Sequence, residues 1–323
     1  MMTGRFAKML GIALCCASAA CAHANPPAGQ TAAAAAAESR SAGTQAPDEL
    51  LLLGTAGGPL ARADRSGIAT LLTLGGKRYL VDAGDGVVHQ LGKAGLESTD
   101  IPTVFLTHLH DDHFAGLPGL ASFGYTIRGN RMDIYGPDGT DDLVQGIHQV
   151  MGASARIRRV EQRIDRGPED FAIAHEYITG PVFDDGKVKV TAIANTHFDL
   201  PPGSPAASNY SYSLRFEGDG KVIVFTGDTG PSDDVTELAR GADILVAEMA
   251  SLADRASVPP FIQAHMDREH LSPLEVGKMA AAAGVKTLVL SHIGVAGDAD
   301  VAVIRSVFDG RVVLGADMTA IPF

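Results

Sequence analysis

The sequence predicts an α/β protein built in layers. Two observations lead there. Short apolar runs rich in β-branched residues, such as 221–225, 243–247 and 285–290, are separated by segments of helical character. Polar residues then crowd where these runs end, and strand ends are where layered α/β proteins place their sites. A length of 323 residues with 46% hydrophobic content is enough for one large core.

Taken in order, residues 1–24 read as a secretory signal peptide. Arg5 and Lys8 give the positive start, 9–20 is an apolar stretch too short to span a bilayer, and Ala22-His23-Ala24 offers a small-x-small cleavage site. Lipid anchoring through Cys21 is disfavoured, because Ser18 stands where a branched apolar residue is expected. The three cysteines, Cys15, Cys16 and Cys21, all lie in this leader, so the mature chain would have no disulfide and no thiolate ligand. Localisation is therefore expected to be periplasmic or secreted, with no membrane-spanning segment in the mature chain. Residues 25–47 are rich in Ala, Pro, Gly and Ser and read as a linker.

The folded domain is expected over 48–323. A strand at 49–53 leads into Gly54-Thr-Ala-Gly-Gly-Pro59, a tight glycine turn that brings backbone close to the floor of a site; it lacks the Gly-Lys-Ser/Thr ending of a phosphate loop. Strands at 68–74 and 77–81 flank Gly75-Gly76 as a hairpin, and the second ends at Asp82. A helix follows over 87–94, then a strand over 101–106. Further strands are expected at 132–135, 187–194, 210–216, 221–225, 243–247, 285–290 and 312–317, and helices at 141–151 and 232–240. Ser272-Pro-Leu-Glu275 is a clear helix start, with a cap residue, proline at the first position and glutamate three residues on; that helix should end at Gly284. Arg156, Arg158, Arg159 and Arg163 read as a solvated helix face.

The densest polar cluster is Thr107-His-Leu-His-Asp-Asp-His-Phe-Ala-Gly-Leu117, directly after the strand at 101–106. Imidazole nitrogens and carboxylate oxygens are ligands that zinc accepts, and without a cation they would crowd polar groups at the edge of a core. His197, Asp228 and His292 also stand after expected strands. With His108, His110, Asp112 and His113 they make a set too large for one zinc but suited to two metals, with one carboxylate bridging.

These residues resemble the metallo-β-lactamase superfamily, and within it the ribonuclease Z, arylsulfatase and cyclic-nucleotide phosphodiesterase branch. The likeness rests on the His-x-His-x-Asp-His array at 108–113, Gly54–Pro59, Leu80-Val-Asp-Ala-Gly-Asp-Gly86, Phe225-Thr-Gly-Asp-Thr229, His270-Leu-Ser-Pro273 and Leu290-Ser-His-Ile293. The resemblance implies an αβ/βα four-layer sandwich of two mixed sheets with helices outside. It implies two Zn²⁺, with Mn²⁺ or Fe²⁺ as substitutes. His108, His110 and His197 would hold one, Asp112, His113 and His292 the other, and Asp228 would bridge with a hydroxide that attacks the substrate. Asp82 would orient a ligand histidine, and His270 would serve as general acid or oxyanion stabiliser.

The expected function is hydrolysis of a small ester, an aryl sulfate or a phosphodiester including cyclic nucleotides. Lactone or β-lactam hydrolysis is an alternative, and a periplasmic metal- or ligand-binding module without catalysis is another. Nucleic acid is disfavoured as a partner. The formal charge is −12, no equivalent of the tRNA-clamping arm of ribonuclease Z is evident, and Gly294-Val-Ala-Gly297 follows His292-Ile293 where tRNA-processing members tend to carry Ser-Pro-Arg-Tyr. Many relatives are dimers, so the resemblance allows a homodimer and leaves the oligomeric state open. Pocket walls are expected from 123–131, 176–186 and a lid at 199–209, with Phe123, Tyr125, Phe183, Phe198, Tyr210 and Phe261 as aromatic candidates.

Overall fold

A computed structural model describes residues 47–323 except Asp199. The leader and nearly all of the expected linker lie outside the described residues. Sheet A has the order β14-β1-β2-β3-β4-β5-β6 and sheet B the order β13-β12-β11-β10-β9-β8-β7. In sheet A, β1 (Glu49–Gly54), β2 (Ala69–Leu74), β3 (Lys77–Val81) and β14 (Thr319–Pro322) pair antiparallel, whereas β4 (Thr103–Phe105), β5 (Met132–Gly136) and β6 (Ala172–Glu176) continue from β3 in parallel. Sheet B repeats this plan. Strands β7 (Gly180–Asp184), β8 (Val188–Ala194), β9 (Tyr212–Gly218) and β10 (Lys221–Phe225) are antiparallel, and β11 (Ile244–Met249), β12 (Thr287–Ile293) and β13 (Arg311–Leu314) extend them in parallel.

Both faces of each sheet are apolar, and the period-2 alternation sorts the side chains. Leu50, Leu52, Val81, Phe105, Phe216 and Phe225 meet between the sheets. Leu53, Leu80, Val104 and Leu106 face outward onto α1 (Val87–Lys93), α3 (Leu117–Thr126) and α4 (Thr140–Gln162). On the far side Val224, Leu245 and Leu288 pack against α5 (Asp233–Leu238), α8 (Pro273–Ala283) and α9 (Asp298–Arg305). The result is a four-layer sandwich with helices outside. Phe105 is the knot between the sheets: its ring lies 5.1 Å from Phe216 edge-on and 5.1 Å from Tyr135 in a stack. Phe105→Ala is expected to cost about 3–5 kcal/mol of stability, read as a lowered denaturant midpoint with an unchanged slope.

The remaining helices are α2 (Asp111–Phe114), α6 (Leu252–Ser257) and α7 (Pro260–Glu269). Several elements depart from expectation. Residues 176–186 are not a pocket loop. They contain β7, whose Phe183 packs among the inter-sheet aromatics. Tyr125 is also no pocket wall: it is buried in the outer core, with its hydroxyl donating to the Arg166 carbonyl. Helix α4 runs well past residue 151, because Ala155 still finds the core while Arg156 and Arg159 point to solvent. Strands β6, β7 and β14 escape a reading by apolar period because edge strands are short and half-exposed. Helix α7 buries only Glu269, so it shows no apolar stripe at all.

Strands β3, β4, β8, β10, β11 and β12 all end at one edge of the sandwich. That edge gathers the polar residues.

Candidate metal centre

Each polar side chain at this edge is held by a local device. Asp82 follows β3 with φ 58°, a left-handed backbone rare for a non-glycine residue, and His292 at the end of β12 has φ 49°. The turn at 54–59 comes close: a Cβ on Gly57 would sit 2.9 Å from the His292 backbone, and the Gly58 amide donates to His292 Nε2 at 3.3 Å. This is the close approach that the glycine-rich stretch predicts. A Cβ on Gly84 would lie 2.5 Å from the Asp112 carbonyl oxygen, so the Asp82–Gly86 turn also needs its glycine to seat α2.

The structure brings all seven expected ligands together. Donor atoms of His108, His110 and His197 lie within 4.8 Å of one another, as do those of Asp112, His113 and His292. Asp228 stands between the two groups. Its Oδ1 is 3.5 Å from His113 Nε2 and 3.2 Å from His292 Nδ1, and its Oδ2 is 3.9 Å from His197 Nε2. His110 Nδ1 lies 3.1 Å from both His108 Nε2 and His197 Nε2. All but His110 and Asp112 are buried.

The side chains fit a cation. Three imidazole nitrogens converging at hydrogen-bond distance have more lone pairs than protons to share unless a positive charge sits among them. His113 Nε2 and Asp228 Oδ1 are buried, face each other, and make no hydrogen bond. A cavity of about 30 Å³ opens against His113, Asp228 and His292, room for a single ion or water. Outer partners turn the lone pairs inward. Asp82 Oδ2 lies 2.9 Å from His113 Nδ1, and the Glu269 carbonyl lies 3.0 Å from His197 Nδ1, so each Nδ1 carries the proton and each Nε2 points at the cluster. Thr107 donates its amide and its hydroxyl to Asp82.

Electrostatics agree with this division. Burial drives His108 well below the usual imidazole range and lowers His197 to about 4, so both stay neutral and able to ligate near pH 7. Burial opposes charge on Asp228 as well, yet His292 and His113 outweigh it and hold that carboxyl ionised. For His113, burial is overcome by Asp82 and Asp228, which retain a proton that a bound cation would displace. Asp82→Ala is expected to weaken metal affinity about 10–100-fold, measured by competition against a chromophoric chelator.

His270 stands just after α7, with its ring 4.9 Å from that of His197. Its Nδ1 lies 3.0 Å from Oε1 of Glu248, which also accepts from the Leu271 and Thr229 amides. Burial works against the imidazolium, but Glu248 prevails and raises His270 to about 9. Glu248 is not among the site residues that the sequence points to. Its signal is present: an acid in an otherwise apolar strand, standing where the other strands end in candidate ligands.

Two cavities adjoin the cluster. One of about 620 Å³ borders His110 and is walled by Leu109, Pro137, Phe198, Leu200 and Tyr210. The other, about 340 Å³, borders His270 and His292 and is walled by Leu60, Met249, Val258 and Met266. Phe198 and Tyr210 thus take the wall positions expected of them, and residues 200–209 contribute Leu200, Ala206 and Asn209 to the larger cavity.

The β-lactamase superfamily domain matches residues 77–293. A ribonuclease Z of Mycobacterium bovis is 30% identical over 279 residues, spanning 84% of this chain and 96% of its own length. Among solved structures, the metallo-β-lactamase fold protein YhfI of Bacillus subtilis superposes with a TM-score of 0.66 at 20% identity, covering 86% of this chain and all of that one. Human tRNase Z, short form, gives 0.63 at 24% identity over 84% and 98% of the two chains. The chain belongs to the metallo-β-lactamase superfamily of metal-dependent hydrolases. Within that superfamily it is ribonuclease Z-like.

Proposed function

We propose that this protein is a dinuclear zinc phosphodiesterase that acts on a small diester outside the cytoplasm. The observation that carries the reading is Asp228, whose two oxygens reach toward two separate groups of three ligands. Two divalent ions held there would lower the pKa of a shared water and offset charge on the phosphoryl oxygens. Asp112 belongs to the second group, with His113 and His292. The name ribonuclease Z borne by relatives favours phosphorus over sulfur. The extracytoplasmic assignment rests on the composition of residues 1–24.

The chain's own residues supply the rest of the chemistry. His108 and His197 remain neutral through burial, Asp82 and the Glu269 carbonyl fix ring orientation, and His270 holds a proton near the cluster for a departing oxygen. No helix among the described residues is long and apolar enough to cross a membrane.

The same relatives support RNA as a second reading, against which stands the charge of −12. A panel separates the readings: bis-p-nitrophenyl phosphate, cyclic AMP, p-nitrophenyl sulfate, a lactone, nitrocefin and a 3′-extended tRNA. Turnover of the phosphodiesters above all others is expected. Preference for the sulfate, the lactone or nitrocefin would overturn the reading, and tRNA processing at low salt would replace it with the second. Silence on all six with metal bound would favour a binding module.

A further inference from the structure

The two cavities share no lining residue, and they adjoin different parts of the cluster. The larger borders His110, of the His108–His110–His197 group, and the smaller borders His292, of the Asp112–His113–His292 group. Helix α7 divides them. Its His265, Arg268 and Glu269 face the larger cavity, and Met266 faces the smaller. A sulfate or phosphate monoester has one organic arm and fills one such space. Two spaces at one reacting centre match a reacting atom that carries two organic arms.

The walls differ in kind. In the larger cavity the Phe198 ring stands 5.0 Å from those of His110 and His197, and Tyr210 is half-exposed across the opening. That is a platform for a flat aromatic group. The smaller cavity is walled by Leu60, Met249 and Met266, with Arg62 and Asp254 also in its lining, and of the two it is the one that His270 lines. An arm lying here therefore has its oxygen beside that ring.

We propose that the substrate is an unsymmetrical phosphodiester whose retained arm is aromatic and lies on Phe198, while the arm in the Met249–Met266 cavity departs. This rests on the phosphodiesterase reading above. A water oxygen bonds to phosphorus and gives up a proton to solvent. The phosphorus–oxygen bond to the arm beside His270 breaks, and its electron pair leaves with that oxygen. His270 Nε2 supplies the proton, since Nδ1 is engaged by Glu248. The products are an aryl phosphate monoester and an alcohol.

The test compares phenyl p-nitrophenyl phosphate with methyl p-nitrophenyl phosphate, which share a leaving group and differ in the retained arm. The metal-loaded protein is expected to favour the phenyl diester about tenfold in kcat/KM. Phe198→Ala should bring that ratio toward one, and Met266→Ala should not. Calorimetry gives a readout free of turnover: phenyl phosphate, the retained-arm product, should bind Phe198→Ala about tenfold more weakly than the parent protein. A ratio near one in the parent protein, or a ratio that collapses in Met266→Ala and survives in Phe198→Ala, overturns the assignment of arms and leaves the phosphodiesterase reading intact. Failure to hydrolyse either diester, with metal bound, overturns the reading on which it rests.

Discussion

His110→Ala is expected to abolish most activity and to release metal. His110 Nδ1 is the atom on which His108 and His197 converge, each at 3.1 Å, and it is the exposed member of its group. Removing it leaves two buried imidazoles and the shared Asp228 carboxylate, and opens the centre to the larger cavity. Metal affinity should fall by more than about 100-fold, beyond what loss of an outer partner costs. Stabilisation of transition-state charge by the ions amounts to several kcal/mol, so kcat should fall about 10³-fold or more. Because His110 lies outside the apolar core, the thermal midpoint measured in chelator should stay near that of the parent protein. Near-normal turnover with two zinc ions retained would sink the assignment.

His270→Ala is expected to lower kcat about 10²–10⁴-fold while the metal content stays the same. The loss should depend on the departing group. p-Nitrophenolate leaves without a proton and should be least affected, whereas an alkyl leaving group should be most affected. A uniform loss across leaving groups would make His270 a charge stabiliser instead of a proton donor. The pH profile adds a second readout. His270 is raised to about 9 by Glu248, so the imidazolium persists below that pH and is lost as pH rises through it. Turnover of alkyl diesters should therefore decline on the basic side near pH 9. Glu248→Gln removes the charge that holds the proton, and the decline should move toward the ordinary imidazole range. A basic limb that stays in place in Glu248→Gln would disconnect the pair.

How much of this was legible in the sequence depends on where a residue's signal resides. The residues that gather at the candidate centre are legible because each follows an apolar strand and the local array at 108–113 is dense. The capping box at Ser272 and Glu275 and the left-handed Gly284 that closes α8 were legible because both are local backbone chemistry. Glu248 was passed over because its partner is 22 residues away and its meaning comes only from pairing with His270. Phe183 was misplaced for the reverse reason. The sequence reads it as a wall aromatic in a loop at 176–186, yet a short edge strand turns it into the space between the sheets. Helix α7 was missed because it rides on the surface and buries almost nothing, although it separates the two cavities. The backbone of Asp82 and of His292, held at positive φ, could not be read from residue type at all.

The most direct test of the account is a metal titration of the chelator-stripped protein, with bound zinc counted by mass spectrometry and bis-p-nitrophenyl phosphate hydrolysis followed in parallel. Two ions are expected to bind per chain, hydrolysis should rise as the second site fills, and Asp228→Ala should hold fewer than two ions and not turn over. Diesterase activity that persists in excess chelator, or full activity at a single ion per chain, would contradict it.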